Sequence, residues 1–163
     1  MSYDEIILLK ILCELKKVNL EAIIVGNVAG VLQGVPVMTQ DIDFFVRDTE
    51  LNKKKINQFA SNLDLFLFKP DEAISETIRA EGKEFIVDFV FRLAPDQSFE
   101  GIRKRAKRIK IGSIFCKVAS LEDVLKAKTY VNRDKDKAVL KIIQDTIRIK
   151  NRLEKSRKLG HRP

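Results

Sequence analysis

The sequence predicts an α+β domain, a mixed β-sheet with flanking helices and a pair of helices at the C-terminal end. Three observations carry this. Short apolar runs such as Ala22–Val25 and Phe85–Phe91 stand between turn residues and read as strands. Apolar residues at helical spacing follow capping residues near positions 4, 50 and 121. Alternation on either side of Gly112-Ser113 reads as a β-hairpin. At 163 residues the chain suffices for one core. The reading is a single domain over 1–152, with the helical pair at 119–152 and a basic tail at 153–163.

Taken in order, Ser2-Tyr3-Asp4-Glu5 has the form of a capping box. Ile6, Leu8, Leu9, Leu12 and Leu15 then mark a helix over 4–17, and Lys16 and Lys17 suit its negative end. A short strand at 21–25 meets Gly26. Asn27 is the expected N-cap of a short helix reaching Gln33, and Gly34 and Pro36 end it. The next strand, from Asp41 to Val46, carries two carboxylates. Side chains two apart on a strand share a face, so Asp41 and Asp43 project together while Ile42 points away. Adjacent carboxylates repel unless a cation or a proton lies between them. Asp48-Thr49 caps a helix near 50–61, and residues 63–68 form a third strand ended by Lys69-Pro70. A weak helical pattern spans 72–80.

Phe85–Phe91 is the most apolar run in the chain and holds Asp88 at its middle; an ionised carboxylate there needs a partner. Ser120 caps a helix to about 131, whose buried face of Leu121, Val124 and Leu125 also takes in Lys128. A last helix at about 134–152 buries Val139, Ile142, Ile143 and Ile147 on a stripe that includes Asp136. The cluster from Arg103 to Lys110 reads as a solvated edge, because no aromatic residue is interleaved to stack on bases.

Composition narrows the chemistry. The one histidine is His161, so catalysis by a histidine-bearing triad or zinc site is excluded unless His161 folds back. Cys13 and Cys116 lack CxxC spacing and read as buried thiols. A net charge of +8 suits a polyanionic or phosphorylated partner, and a basic solvated surface is the plainer alternative. No run approaches the roughly 20 apolar residues of a membrane span. Without a basic, secretory-type start, the expectation is a cytoplasmic protein with no membrane partner.

Together Gly26-Asn27, the Asp41/Asp43 pair, Asp88 on a later strand and Lys128 on a following helix resemble the nucleotidyltransferases of the DNA polymerase beta superfamily. Gly34, Thr39 and the string Arg133-Asp134-Lys135-Asp136 extend the match, which covers about residues 20–145. The layout is similar to minimal AbiEii-like and toxin–antitoxin members. This resemblance implies a polymerase-beta-type fold and transfer of a nucleoside monophosphate from a nucleoside triphosphate to a hydroxyl of RNA, tRNA or a protein. It implies Mg²⁺, in a two-metal site, on Asp41, Asp43 and Asp88, with Asp88 activating the hydroxyl. Gly26 and Asn27 would cradle the phosphates, with Thr39 and Lys128 beside them. An antitoxin or other partner protein is implied too. Asn27 stands where the pattern has a second small residue, and Val37 where it has arginine. The alternative is therefore a member without strong catalysis, acting as a basic nucleic-acid- or protein-binding module.

Overall fold

A computed structural model describes residues 1–71 and 76–160. The chain runs α1 (Tyr3–Lys17), β1 (Ile23–Val25), α2 (Gly26–Val31), β2 (Asp41–Phe45), α3 (Glu50–Asn62), β3 (Phe66–Phe68), β4 (Thr77–Glu81), β5 (Ile86–Val90), α4 (Phe99–Arg105), β6 (Lys107–Ile111), β7 (Ile114–Val118), α5 (Leu121–Val131), one 3₁₀ turn (Asp134–Asp136) and α6 (Lys137–Gly160). The strands form one mixed sheet in the order β3-β4-β5-β2-β1-β7-β6. Two pairings, β2 with β5 and β1 with β7, are parallel, and the rest are antiparallel. This is the α+β architecture that the sequence predicts.

The register gives the two faces opposite fates. Ile24, Ile42, Phe44, Val87, Phe89 and Val118 share one face and are buried. There Phe59 of α3 meets Phe89 edge-on at 5.3 Å, and Phe89 stacks with Phe44 at 6.1 Å. Helix α1 lies beside α3 and reaches β6 and β7. Its capping box is complete, with the Ser2 hydroxyl accepting from Glu5 N–H and Glu5 accepting from Ser2 N–H. The opposite face carries Asp41, Asp43, Asp88 and Arg79. It is covered in part by α4, whose Phe99 sits 5.4 Å from Phe45.

Five local expectations change. Val25, not Asn27, caps α2, and the helix opens two residues earlier, at Gly26 with φ +65. The stretch 72–80 is no helix at its C-terminal end. Thr77–Glu81 is strand β4, since its pairing with β5 satisfies a ladder that a lone helical turn could not, and 72–75 lie outside the described residues. Helix α4, capped by Ser98, occupies part of the basic cluster. The tail expected at 153–163 is helical as far as Gly160, while 161–163, with His161, lie outside the described residues. Asp136 sits in the 3₁₀ turn before α6 rather than on that helix's stripe.

Candidate active site

Strand register builds the site. Val25 pairs with Asp43 across β1 and β2, Asp43 with Asp88 across β2 and β5, and Asp88 with Arg79 across β5 and β4. Paired residues point to the same face, so two carboxylates and a guanidinium stand in a row across three strands. Asp41, two residues before Asp43, joins them at the rim with its side chain 40% exposed.

Arg79 settles what accompanies Asp88. Its Nε and Nη2 each donate to one Asp88 oxygen at 2.8 Å, a bidentate fork, and Nη2 also lies 3.6 Å from Asp41 Oδ2. Asp88 is 7% exposed, so a charge there requires such a partner. The Asp88 bond, opposed by burial, holds the Arg79 guanidinium above its usual range. Asp43 has no such fork. Burial, then repulsion from Asp88 and Asp41, pushes its carboxyl up to about 7, against the pull of Lys128 and Arg79.

Gly26 packs directly on this carboxyl. Its positive φ suits glycine, and a Cβ built there would run into Asp43 Oδ2. The bare Cα thus leaves a cradle beside Asp43. Helix α2 spans only six residues, so its dipole adds little to that cradle. Asn27 Oδ1 is buried and, among the described residues, accepts no hydrogen bond. Thr39 is elsewhere: its hydroxyl donates to the Asp41 carbonyl at 3.0 Å and fixes the turn into β2.

A cavity of about 790 Å³ opens over these groups. Gly26, Asp43, Asp88 and Arg79 form its floor, and Lys128, Tyr130 and Arg133 belong to the C-terminal wall. Lys128 points inward with its side chain 14% exposed and bonds Asp136 at 3.1 Å, while Arg133 Nε lies 3.4 Å from the other Asp136 oxygen. Asp136 therefore ties α5 to the turn before α6 and aims Lys128 across the cavity. Nearby, buried Asp123 accepts from Arg105 Nε and Nη2 and from Ser120 Oγ, and Gln97 donates to its carbonyl, locking α5 against α4.

The donor chemistry fits Mg²⁺. Burial, and then the Asp88 and Asp41 carboxylates, push Asp43 toward neutrality, and a hard cation held by these oxygens would offset both. Among the described residues no three acidic, histidine or cysteine side chains are already gathered around one metal position, and Arg79 supplies the positive charge at Asp88.

Arg79 and the Asp123 network are absent from the sequence reading. Arg79 was legible in principle, since Thr77-Ile78-Arg79-Ala80-Glu81 followed by Gly82 also fits a strand leading into a hairpin.

No curated protein sequence matches the chain. Among solved structures it is similar to the antibiotic-resistance factor ANT(2'')-Ia, with a TM-score of 0.63, 14% identity, and coverage of 96% of this chain and 94% of that one. The crystal structure of ANT(2'')-Ia with adenylyl-2''-tobramycin gives a TM-score of 0.64 at 14% identity over 90% of both chains. The lincosamide antibiotic adenylyltransferase LnuA, with lincomycin bound, gives 0.62 at 14% identity over 90% of this chain and 98% of that one. At such identities the likeness establishes a shared fold. No helix among the described residues is long and apolar enough to cross a membrane. The sequence itself matches, over residues 5–160, the family described as "Nucleotidyl transferase of unknown function (DUF2204)", and the chain belongs to that nucleotidyltransferase family.

Proposed function

We propose that this nucleotidyltransferase is Mg²⁺-dependent and transfers a nucleoside monophosphate from a nucleoside triphosphate to a hydroxyl of an RNA, such as tRNA, or of a protein. The observation that carries the reading is the in-register pair Asp43 and Asp88, on parallel strands and lining one cavity, with Asp41 3.6 Å from the Arg79 that binds Asp88. Asp41, Asp43 and Asp88 would hold the metal. When bound, Mg²⁺ supplies charge neutralisation for the triphosphate and polarises the α-phosphate.

The chain's own groups account for the rest. The bare Cα of Gly26 leaves room for a phosphate against the floor. Lys128, aimed from the opposite wall, would balance its charge. Asp88, held in one orientation by the Arg79 fork, would take the proton of the attacking hydroxyl. The acceptor oxygen bonds to the α-phosphorus, the bond to the bridging oxygen breaks, and pyrophosphate leaves. Thr39 would act through the turn that presents Asp41 rather than by touching the nucleotide. In a toxin–antitoxin setting a partner protein would restrain this activity.

A second reading is favoured by one observation. Arg79 already engages both oxygens of Asp88, so a member with weak catalysis that serves as a binding module would need no metal. Calorimetry with Mg²⁺ and each triphosphate separates the two. The catalytic reading expects metal-dependent binding that is lost in Asp41→Asn/Asp43→Asn, together with transfer of label from the triphosphate to total RNA or protein. Metal-independent binding, unchanged in the double variant and without label transfer, overturns it.

A further inference from the structure

We infer that the outer face of the β6–β7 hairpin is a docking surface for single-stranded nucleic acid. Register places Lys110 opposite Phe115 and Arg108 opposite Lys117. All four side chains therefore leave the hairpin on one side, while Ile111, Cys116 and Val118 are buried on the other. Phe115 is 49% exposed. The Arg108 guanidinium lies over its ring at 3.7 Å, and Lys110 Nζ is 5.8 Å from the ring centre. An aromatic residue thus stands inside the basic cluster, contributed by the neighbouring strand rather than by the cluster itself.

The bland explanation covers only half of this. β6 is the outermost strand, and lysines on an edge strand discourage pairing with other chains. Edge protection explains Lys107, Arg108 and Lys110. It does not explain a half-exposed phenylalanine among them, which adds apolar surface at the edge. A ring flanked by cations is what a nucleotide chain requires, because each base has a face to stack and each linkage a phosphate to neutralise. Among the described residues Lys107, Arg108 and Lys110 make no ion pair with a carboxylate; the nearby carboxylate Glu21 is shared by Arg103, Arg47 and Lys117.

The surface lies on the same face of the sheet as the proposed catalytic floor, toward the opposite end of the strands. β7 pairs with β1, and β1 with β2, with Lys117, Ile23 and Phe45 in register, so Phe115 and Lys117 leave the same face of the sheet as Asp43. Two strand spacings, roughly 10 Å, separate β7 from β2. Helix α4 packs on that face through Phe99 against Phe45, and in its last turn Arg103 pairs with Glu21 and Arg105 with Asp123, leaving Lys104 beside them.

The test is fluorescence anisotropy of the full chain with a fluorescein-labelled oligouridylate of about 12 nucleotides, in EDTA and without triphosphate. Metal and nucleotide binding then play no part, so failure here and failure of the catalytic reading are distinct. The wild type is expected to bind more weakly as salt rises. Phe115→Ala is expected to bind about 5- to 100-fold more weakly with an unchanged salt slope. Arg108→Gln/Lys110→Gln is expected to lower the slope by about 1.4, at roughly 0.7 per lost single-strand phosphate contact. Phe115→Trp should retain binding and Phe115→Leu should lose it, which keeps the test valid if alanine unfolds the hairpin. Lys155→Gln/Arg157→Gln/Lys158→Gln, which removes three positive charges from α6, should bind as the wild type does. Absence of wild-type binding at about 50 mM salt overturns the inference, as does equal binding by Phe115→Leu, an equal loss in the α6 variant, or duplex RNA binding as tightly.

Discussion

Asp43 offers the sharpest test of the site, because its environment sets a sign as well as a size. Burial, and then repulsion from Asp88 and Asp41, raises its carboxyl from 3.8 to about 7. A folded-state value above the unfolded one means that the folded protein holds the proton longer. This group therefore favours the folded state fully below about pH 4, and the advantage disappears as pH rises through about 7. The rise corresponds to about 4 kcal/mol of ionisation cost in the folded protein. Solvent reaching part of the carboxyl reduces this to about 2–4 kcal/mol. The substitution Asp43→Asn removes the charge while keeping the shape. In EDTA at pH 8 the variant is expected to be more stable than the wild type by about that amount, and at pH 4 the two should be equal. Urea denaturation across this pH range measures it, and Mg²⁺ should narrow the gap at pH 8 by stabilising the wild type alone. A variant less stable than the wild type at pH 8, or a difference independent of pH, would refute the reasoning that burial and the neighbouring Asp88 and Asp41 make an ionised Asp43 costly.

Gly26→Ala forces a side chain into a left-handed backbone position and against Asp43 Oδ2. It should cost about 1–3 kcal/mol in denaturation and abolish triphosphate binding in calorimetry. Arg79→Met leaves Asp88 unpaired beside Asp43; with Arg79 a quarter exposed, a loss of about 2–3 kcal/mol at pH 8 is expected. In a Mn²⁺ titration followed by electron paramagnetic resonance, the same variant should bind the ion at least as tightly as the wild type. Asp123→Ala removes the acceptor shared by Arg105 and Ser120 and should cost about 2–4 kcal/mol, with Mn²⁺ affinity unchanged because Asp123 belongs to the brace between α4 and α5.

Much of the fold could be read from local signals. Ser2, Thr49 and Ser120 cap the helices expected after them, because each hydroxyl accepts from a backbone N–H three residues on. The hairpin around Gly112 forms because glycine takes the positive φ of the turn. Thr77–Glu81 was not readable in this way. Five residues with mixed polarity suit a weak helix as well as a strand, and only pairing with β5 decides between them. The boundary of α6 was missed for a related reason: residues 148–160 are exposed, so no burial pattern marks them.

The sequence by itself determined which groups can do chemistry. It supplied Asp41 and Asp43 on one strand, a carboxylate in the most apolar run, a glycine turn, and an inward lysine on a later helix. Strand periodicity and the cost of burying charge follow from covalent geometry and solvation, so they are local to the chain. Tertiary structure alone decided the partners. Arg79 and Asp88 are nine residues apart but directly opposed across β4 and β5. Asp43 and Asp88 are 45 residues apart but adjacent on β2 and β5. Lys110 reaches Phe115 only through the hairpin register. Register is set by how the buried face packs, with Phe44, Phe59 and Phe89 locked together on the far side of the sheet. The placement of every charged group on the open face is therefore a consequence of apolar contacts that the charged residues themselves do not make.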